Sequence, residues 1–121
     1  MGVTFLSKKN EAKKQSLTKS NGSKLLRSLP FENGFHFFTE LGKYTGITAC
    51  STVEFAEKLE IIPIESVMFH FQRQDFQKWL RNTIGDEELA NRIDYIKELS
   101  SNENLRKELF KTVHNRITEL Q

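Results

Sequence analysis

The residues best suited to chemistry are His70 and Asp75, which lie five positions apart among the aromatic residues Phe69, Phe76 and Trp79. A carboxylate can orient an imidazole for general-base catalysis, and an apolar setting strengthens that interaction. The same spacing spans a predicted junction between two helices, where a His bonded to an Asp or to a backbone group fixes a turn, because buried polar groups need partners. We favour the polar turn lock and keep catalysis as the alternative.

Other chemistries have little support in the residue pattern. The chain has one cysteine and three histidines, Cys50, His36, His70 and His114. They show neither C-x-x-C nor paired i, i+4 spacing, so we expect no metal site. Gly42-Lys43 lacks the second glycine and the Ser or Thr of a phosphate loop. We therefore expect no catalytic residues, no cofactor and no enzymatic activity.

The charge of the chain is divided unevenly. Residues 1–30 have a net charge of +6 and residues 31–121 a net charge of −4. A flexible cationic arm can neutralise phosphates by counterion release, so its basic residues are candidate nucleic-acid contacts. An ordinary unstructured tail is an equally good interpretation, and binding to anionic lipid is a weaker one. The basic residues are Lys8, Lys9, Lys13, Lys14, Lys19, Lys24 and Arg27.

The composition divides the chain into a disordered basic arm, residues 1–30, and a helical domain, residues 31–121. Residues 7–28 are mostly Lys, Ser, Asn, Gln and Gly, and they cannot bury enough apolar surface to offset the entropy of ordering. Leu25, Leu26, Leu29 and Phe31 could form a short docking segment that ends at Pro30.

The elements of the domain follow from capping and periodicity. Aromatic residues, threonines and two glycines in residues 35–49 predict a small β-hairpin. Apolar residues at helical spacing then predict helices over about 52–61, 63–72, 76–84, 87–99 and 103–120. The sequence therefore predicts a mainly α protein, a compact bundle of about five short helices with a small N-terminal hairpin.

Specific residues should begin and end these helices. Capping boxes begin at Ser51 and Ser100, Asp75 and Asp86 are predicted caps, and Gly85 supplies a left-handed stop. The side chains predicted to be central in the core are Trp79, Phe76, Phe55, Leu89 and Leu109.

Several pieces of the stretch 35–93 form a recognisable pattern. They are Phe35-His36-Phe37-Phe38, Ser51-Thr52-Val53-Glu54-Phe55-Ala56, Phe69-His70 with Asp75-Phe76 and Trp79, and Gly85-Asp86-Glu87-Glu88-Leu89-Ala90. With these pieces the chain resembles the DUF5752 family, a domain of unknown function from archaea and bacteria. The resemblance implies a compact helical module and implies no activity.

Location and partners follow from the same features. No stretch approaches the ~20 apolar residues of a membrane span, and a lone cysteine cannot form an intramolecular disulfide, so we expect a cytoplasmic protein. We expect a non-enzymatic protein-interaction module with a protein partner. The alternative is a nucleic-acid or ribosome-associated accessory protein that uses the basic arm.

Overall fold

The computed structural model describes residues 22–97 and 101–121, which form a mainly helical domain. In chain order the elements are a helical turn α1 (22–25), a 3-10 turn (Phe31–Asn33), strands β1 (Phe35–Glu40) and β2 (Lys43–Ala49), and helices α2 (Thr52–Ile61), α3 (Ile64–Arg73), α4 (Asp75–Trp79), a π-helical segment (Leu80–Ile84), α5 (Glu87–Asp94) and α6 (Asn102–Leu120). The predicted fold class is confirmed. No helix among the described residues is long and apolar enough to cross a lipid bilayer.

The predicted hairpin is present and lies on two helices. Strands β1 and β2 are antiparallel, with Phe35 opposite Ala49 and Phe38 opposite Tyr44. Gly42 follows β1 with φ +78°, which favours glycine in the turn. The hairpin packs on α3 through β1 and on α2 through β2. Because an isolated two-stranded ribbon is marginally stable in water, this packing is what holds it.

The caps of α2 and α5 form as predicted. The Glu54 N–H donates to Ser51 Oγ at 3.1 Å, and the Glu54 carboxylate accepts from the Cys50 N–H at 2.9 Å. At α5 the Leu89 N–H donates to Asp86 Oδ1 at 3.0 Å. Local polar spacing therefore fixes where these two helices begin.

The third predicted helix differs from the structure in its beginning and in its second half. Asp75 does not cap it, because the Asp75 carboxylate binds His70 and Arg73 instead. Gln74 precedes α4 in the left-handed conformation, with φ 62°. After Trp79 the chain widens into the π-helical segment, in which the Gly85 N–H bonds the Leu80 carbonyl oxygen at 2.8 Å. Apolar spacing over five residues does not separate an α turn from a π turn.

Two predicted helix boundaries also move. Helix α5 ends at Asp94 rather than near residue 99, and the Ile96 N–H bonds the Ile93 carbonyl oxygen in the turn that follows. Residues 98–100 lie outside the described residues. Helix α6 is capped by Ser101, whose Oγ accepts from the Asn104 N–H at 3.1 Å, rather than by the Ser100 of the predicted capping box.

The core joins the aromatic residues of the hairpin to those of the helices. The ring centroid of Phe35 lies 5.6 Å from that of Phe55, 5.3 Å from that of Phe76 and 5.6 Å from that of Trp79. Helix α6 packs on α2, α3 and α5. The five side chains predicted to be central are all buried: Trp79, Phe76, Phe55, Leu89 and Leu109.

Residues 22–30, which the sequence division places in the arm, pack against the domain. Leu25 is buried, and the Leu29 N–H bonds the Cys50 carbonyl oxygen at 2.7 Å. The Arg27 guanidinium donates to the Thr83 and Ile84 carbonyl oxygens, both at 2.9 Å. These carbonyls lie in the last turn of the π-helical segment, where backbone acceptors lack helical partners. The contacts of the leucines and of Arg27 thus oppose the loss of conformational entropy that comes with ordering this segment.

Candidate functional site

An open cleft of about 590 Å³, here called the hairpin cleft, lies between the hairpin, the end of α3, α4 and the π-helical segment. Its walls are mainly apolar and include Phe35, Phe38, Leu41, Phe69 and Trp79. Exposed polar residues along its edge include Arg73, Lys78 and Asn82. A concave apolar surface with a few polar groups is the usual form of a ligand-binding site.

His70 and Asp75 lie together in the wall of this cleft. His70 Nδ1 is 2.8 Å from Asp75 Oδ2, and the Phe38 N–H donates to His70 Nε2 at 2.8 Å. Because Nε2 accepts a hydrogen bond, the proton of the neutral ring is assigned to Nδ1, which donates it to the carboxylate. Both ring nitrogens therefore have partners within the protein.

The bonds of His70 connect three elements. Phe38 is in β1, His70 is in α3, and Asp75 begins α4. The Asp75 carboxylate also accepts from Arg73 Nε at 3.0 Å. The ring centroid of Phe35 lies 4.8 Å from that of the imidazole. This arrangement positions the hairpin against the helices and so determines the shape of the cleft.

The protonation of His70 suits a structural role. Burial lowers the pKa of His70 below its ordinary value of 6.5 and outweighs the hydrogen bond and the charge of Asp75, which raise it. The ring is therefore neutral at pH 7. A general base needs a lone pair within reach of the substrate proton, and the Phe38 N–H occupies the one that His70 has.

The lowered pKa predicts a pH-dependent stability. The unfolded chain takes up a proton at this residue near pH 6.5, whereas the folded protein takes it up only at lower pH. The free energy of unfolding should therefore fall as the pH falls below 6.5 and through the folded-state pKa. In urea titrations at pH 7, 6 and 5, the His70→Gln variant should show a smaller fall than the wild type.

A matched control compares His70 with an exposed histidine. His114 is exposed on α6, so the His114→Gln variant should keep the pH dependence of the wild type. Parallel pH profiles for the wild type and His70→Gln would show that the buried imidazole does not resist protonation.

The structure places two of the seven basic candidates of the arm. Lys24 is exposed, and Arg27 is held by backbone carbonyls, so the cation of Arg27 is part of the fold. The remaining arm candidates lie outside the described residues: Lys8, Lys9, Lys13, Lys14 and Lys19. Within 22–97 and 101–121, no three or more His, Cys, Asp or Glu side chains are grouped to hold a metal ion.

Sequence reasoning missed several cleft residues. Leu41, Arg73, Lys78 and Asn82 line the hairpin cleft but belong to no motif. The one available signal is Leu41, a large apolar residue beside Gly42, in a position where a turn would usually have polar residues. Arg73 and Lys78 could not have been found, since their place depends on the break at Gln74.

Of three comparisons with known proteins, one found a match. Neither the curated proteins nor the solved structures include a match to this chain. A family model described as a family of unknown function, DUF5752, matches residues 30–121. The match spans the hairpin, all of the helices that form the cleft, and α6. The chain therefore belongs to the DUF5752 family.

Proposed function

We propose that the domain is a non-enzymatic protein-interaction module that binds a partner through the hairpin cleft. The observation that carries this proposal is an aromatic-walled cleft in which the His70–Asp75 pair is already hydrogen-bonded within the protein. The walls offer apolar surface for a partner's side chain. The neutral imidazole of His70 offers no reactive group, because both of its nitrogens are already hydrogen-bonded. The cleft is thus better suited to recognition than to proton transfer.

Leu41 supports the proposal and provides a test. Its side chain is 77% exposed and lines the hairpin cleft, so a partner in the cleft would cover it. Ile61, at the end of α2, is 64% exposed and is not among the residues that line the cleft. Both are large apolar side chains that contribute little to the core, so their substitution should leave the fold intact.

Leu41→Asp should reduce retention of the partner at least tenfold, because a carboxylate at the cleft would be desolvated on binding. Ile61→Asp, the matched control, should retain the partner as well as the wild type. The measurement is quantitative affinity capture from cell extract, after circular dichroism has shown that both variants are folded. Equal retention of the same proteins by Leu41→Asp and the wild type would contradict the proposal.

A nucleic-acid or ribosome-associated accessory protein is the second candidate, supported by the net charge of +6 on residues 1–30. In the same capture experiment, RNA retained by both variants and released by salt would favour it. A truncation that tests the arm should stop at residue 21, because Leu25 and Arg27 pack on the domain.

We propose the cytoplasm as the location for either function. Cys50 is the one cysteine of the chain, and its thiol is free. A chain without a disulfide is typical of a reducing compartment.

A further inference from the structure

Two cations stand at the edge of the hairpin cleft, on a domain whose overall charge is negative. Arg73 and Lys78 both line the cleft, and both are exposed. Residues 31–121 carry 11 basic and 15 acidic side chains. The cleft edge therefore differs in sign from the domain as a whole, and such local differences select the charge of a partner.

The guanidinium of Arg73 is oriented by two contacts. Its central carbon lies 5.0 Å from the ring centroid of Phe69, and its Nε donates to Asp75 Oδ2 at 3.0 Å. Among the described residues, neither Nη atom makes a hydrogen bond. A planar guanidinium held in place with unused N–H groups is suited to bind a carboxylate, because little side-chain entropy is then lost.

Lys78 adds a second cation with unused donors. Its Nζ donates to the Arg73 carbonyl oxygen at 3.1 Å, which leaves two of its three N–H groups. The acidic residue in the cleft wall is Asp75, and its carboxylate already accepts from Arg73 and His70. The cleft edge thus keeps an excess of positive charge and of hydrogen-bond donors beside an apolar wall.

We infer that the partner presents an acidic segment, in which an apolar side chain enters the hairpin cleft and a neighbouring Asp or Glu carboxylate binds Arg73 and Lys78. This inference rests on the proposed function and specifies its partner. Residues 1–21 of the chain itself are a poor occupant, because they hold five lysines and one acidic residue, a net charge of +4.

The inference can be tested with a phage-displayed library of random 12-residue peptides, selected on the full chain. The wild type should enrich peptides that have a large apolar residue next to Asp or Glu. Lys78→Glu should lose the acidic preference, because the new carboxylate cancels the charge of Arg73 at the cleft edge. Lys111→Glu, the same change on an exposed position of α6, should select like the wild type.

Affinity measurements on one selected peptide complete the test. Replacing its acidic residue by the corresponding amide should weaken binding to the wild type about tenfold, as expected for a charge-assisted hydrogen bond. The same replacement in the peptide should not weaken its binding to the Lys78→Glu variant. Enriched peptides with apolar anchors but no acidic preference, or no enriched peptides at all, would overturn the inference. Peptides that bind Leu41→Asp as tightly as the wild type would overturn the proposed function as well.

Discussion

Replacing Asp86 by Ala is expected to lower the free energy of unfolding by about 3–5 kcal/mol. The Asp86 side chain is 1% exposed, caps α5, and accepts from Arg116 Nε and Nη2 at 3.1 Å each. The cap alone is worth about 0.5–2 kcal/mol. The larger part of the loss should come from Arg116, which is mostly buried and would keep its charge without its main partner.

Chemical denaturation of two further variants separates these contributions. Asp86→Asn keeps an oxygen that can cap α5 but removes the charge, so its loss should be intermediate. Asp94→Ala removes an exposed partner of Arg81 and should cost less than about 1 kcal/mol. If Asp86→Ala proved no more costly than Asp94→Ala, the buried pair would not be a major support of the fold.

Phe55→Ala should cost about 3–5 kcal/mol, because it leaves a cavity at the centre of the aromatic core. The Phe55 side chain is fully buried, and its ring centroid lies 5.3 Å from that of Phe76 and 5.5 Å from that of Trp79. Both neighbours are held in helix α4, so the cavity cannot readily collapse.

The measurement is the midpoint and slope of urea unfolding for Phe55→Ala beside Phe31→Ala. Phe31 is 61% exposed, and its ring centroid lies 5.0 Å from that of His36. Phe31→Ala should therefore lower the free energy of unfolding by less than about 1 kcal/mol. Similar midpoints for the two variants would mean that the aromatic cluster contributes little to stability.

The features that could be predicted depend on residues close together in the chain. Ser51 with Glu54 fixes the beginning of α2, and Asp86 fixes that of α5. Gly85 ends the π-helical segment with φ +91°, as a left-handed stop requires. The pairing of His70 with Asp75 is also local, since five residues separate them across one turn.

The features that could not be predicted depend on distant residues. Arg106 donates from Nη1 to the Leu59 and Ile62 carbonyl oxygens, each at 2.8 Å, and so binds the end of α2 from α6. Arg27 has the same role at the π-helical segment. Sequence patterns show both only as cations, which is why the sequence places Arg27 in the arm.

The candidate site shows the same division. The bond from the Phe38 N–H to His70 joins residues 32 positions apart, and no spacing rule predicts it. This bond changes the interpretation of His70, because it occupies the nitrogen that catalysis would need. The cleft itself exists where the hairpin meets α3 and α4, so its wall could be identified only from the fold.

The central claim is that the hairpin cleft is where a protein partner binds, and site-specific photo-crosslinking in cells tests it most directly. A benzophenone side chain would replace Leu41 in one variant and Ile61 in another, each with and without Asn82→Trp, which should fill the edge of the cleft. We expect one discrete protein adduct from position 41, lost with Asn82→Trp, and no such adduct from position 61. The same adducts from both positions, or an adduct at 41 that persists with Asn82→Trp, would contradict the claim.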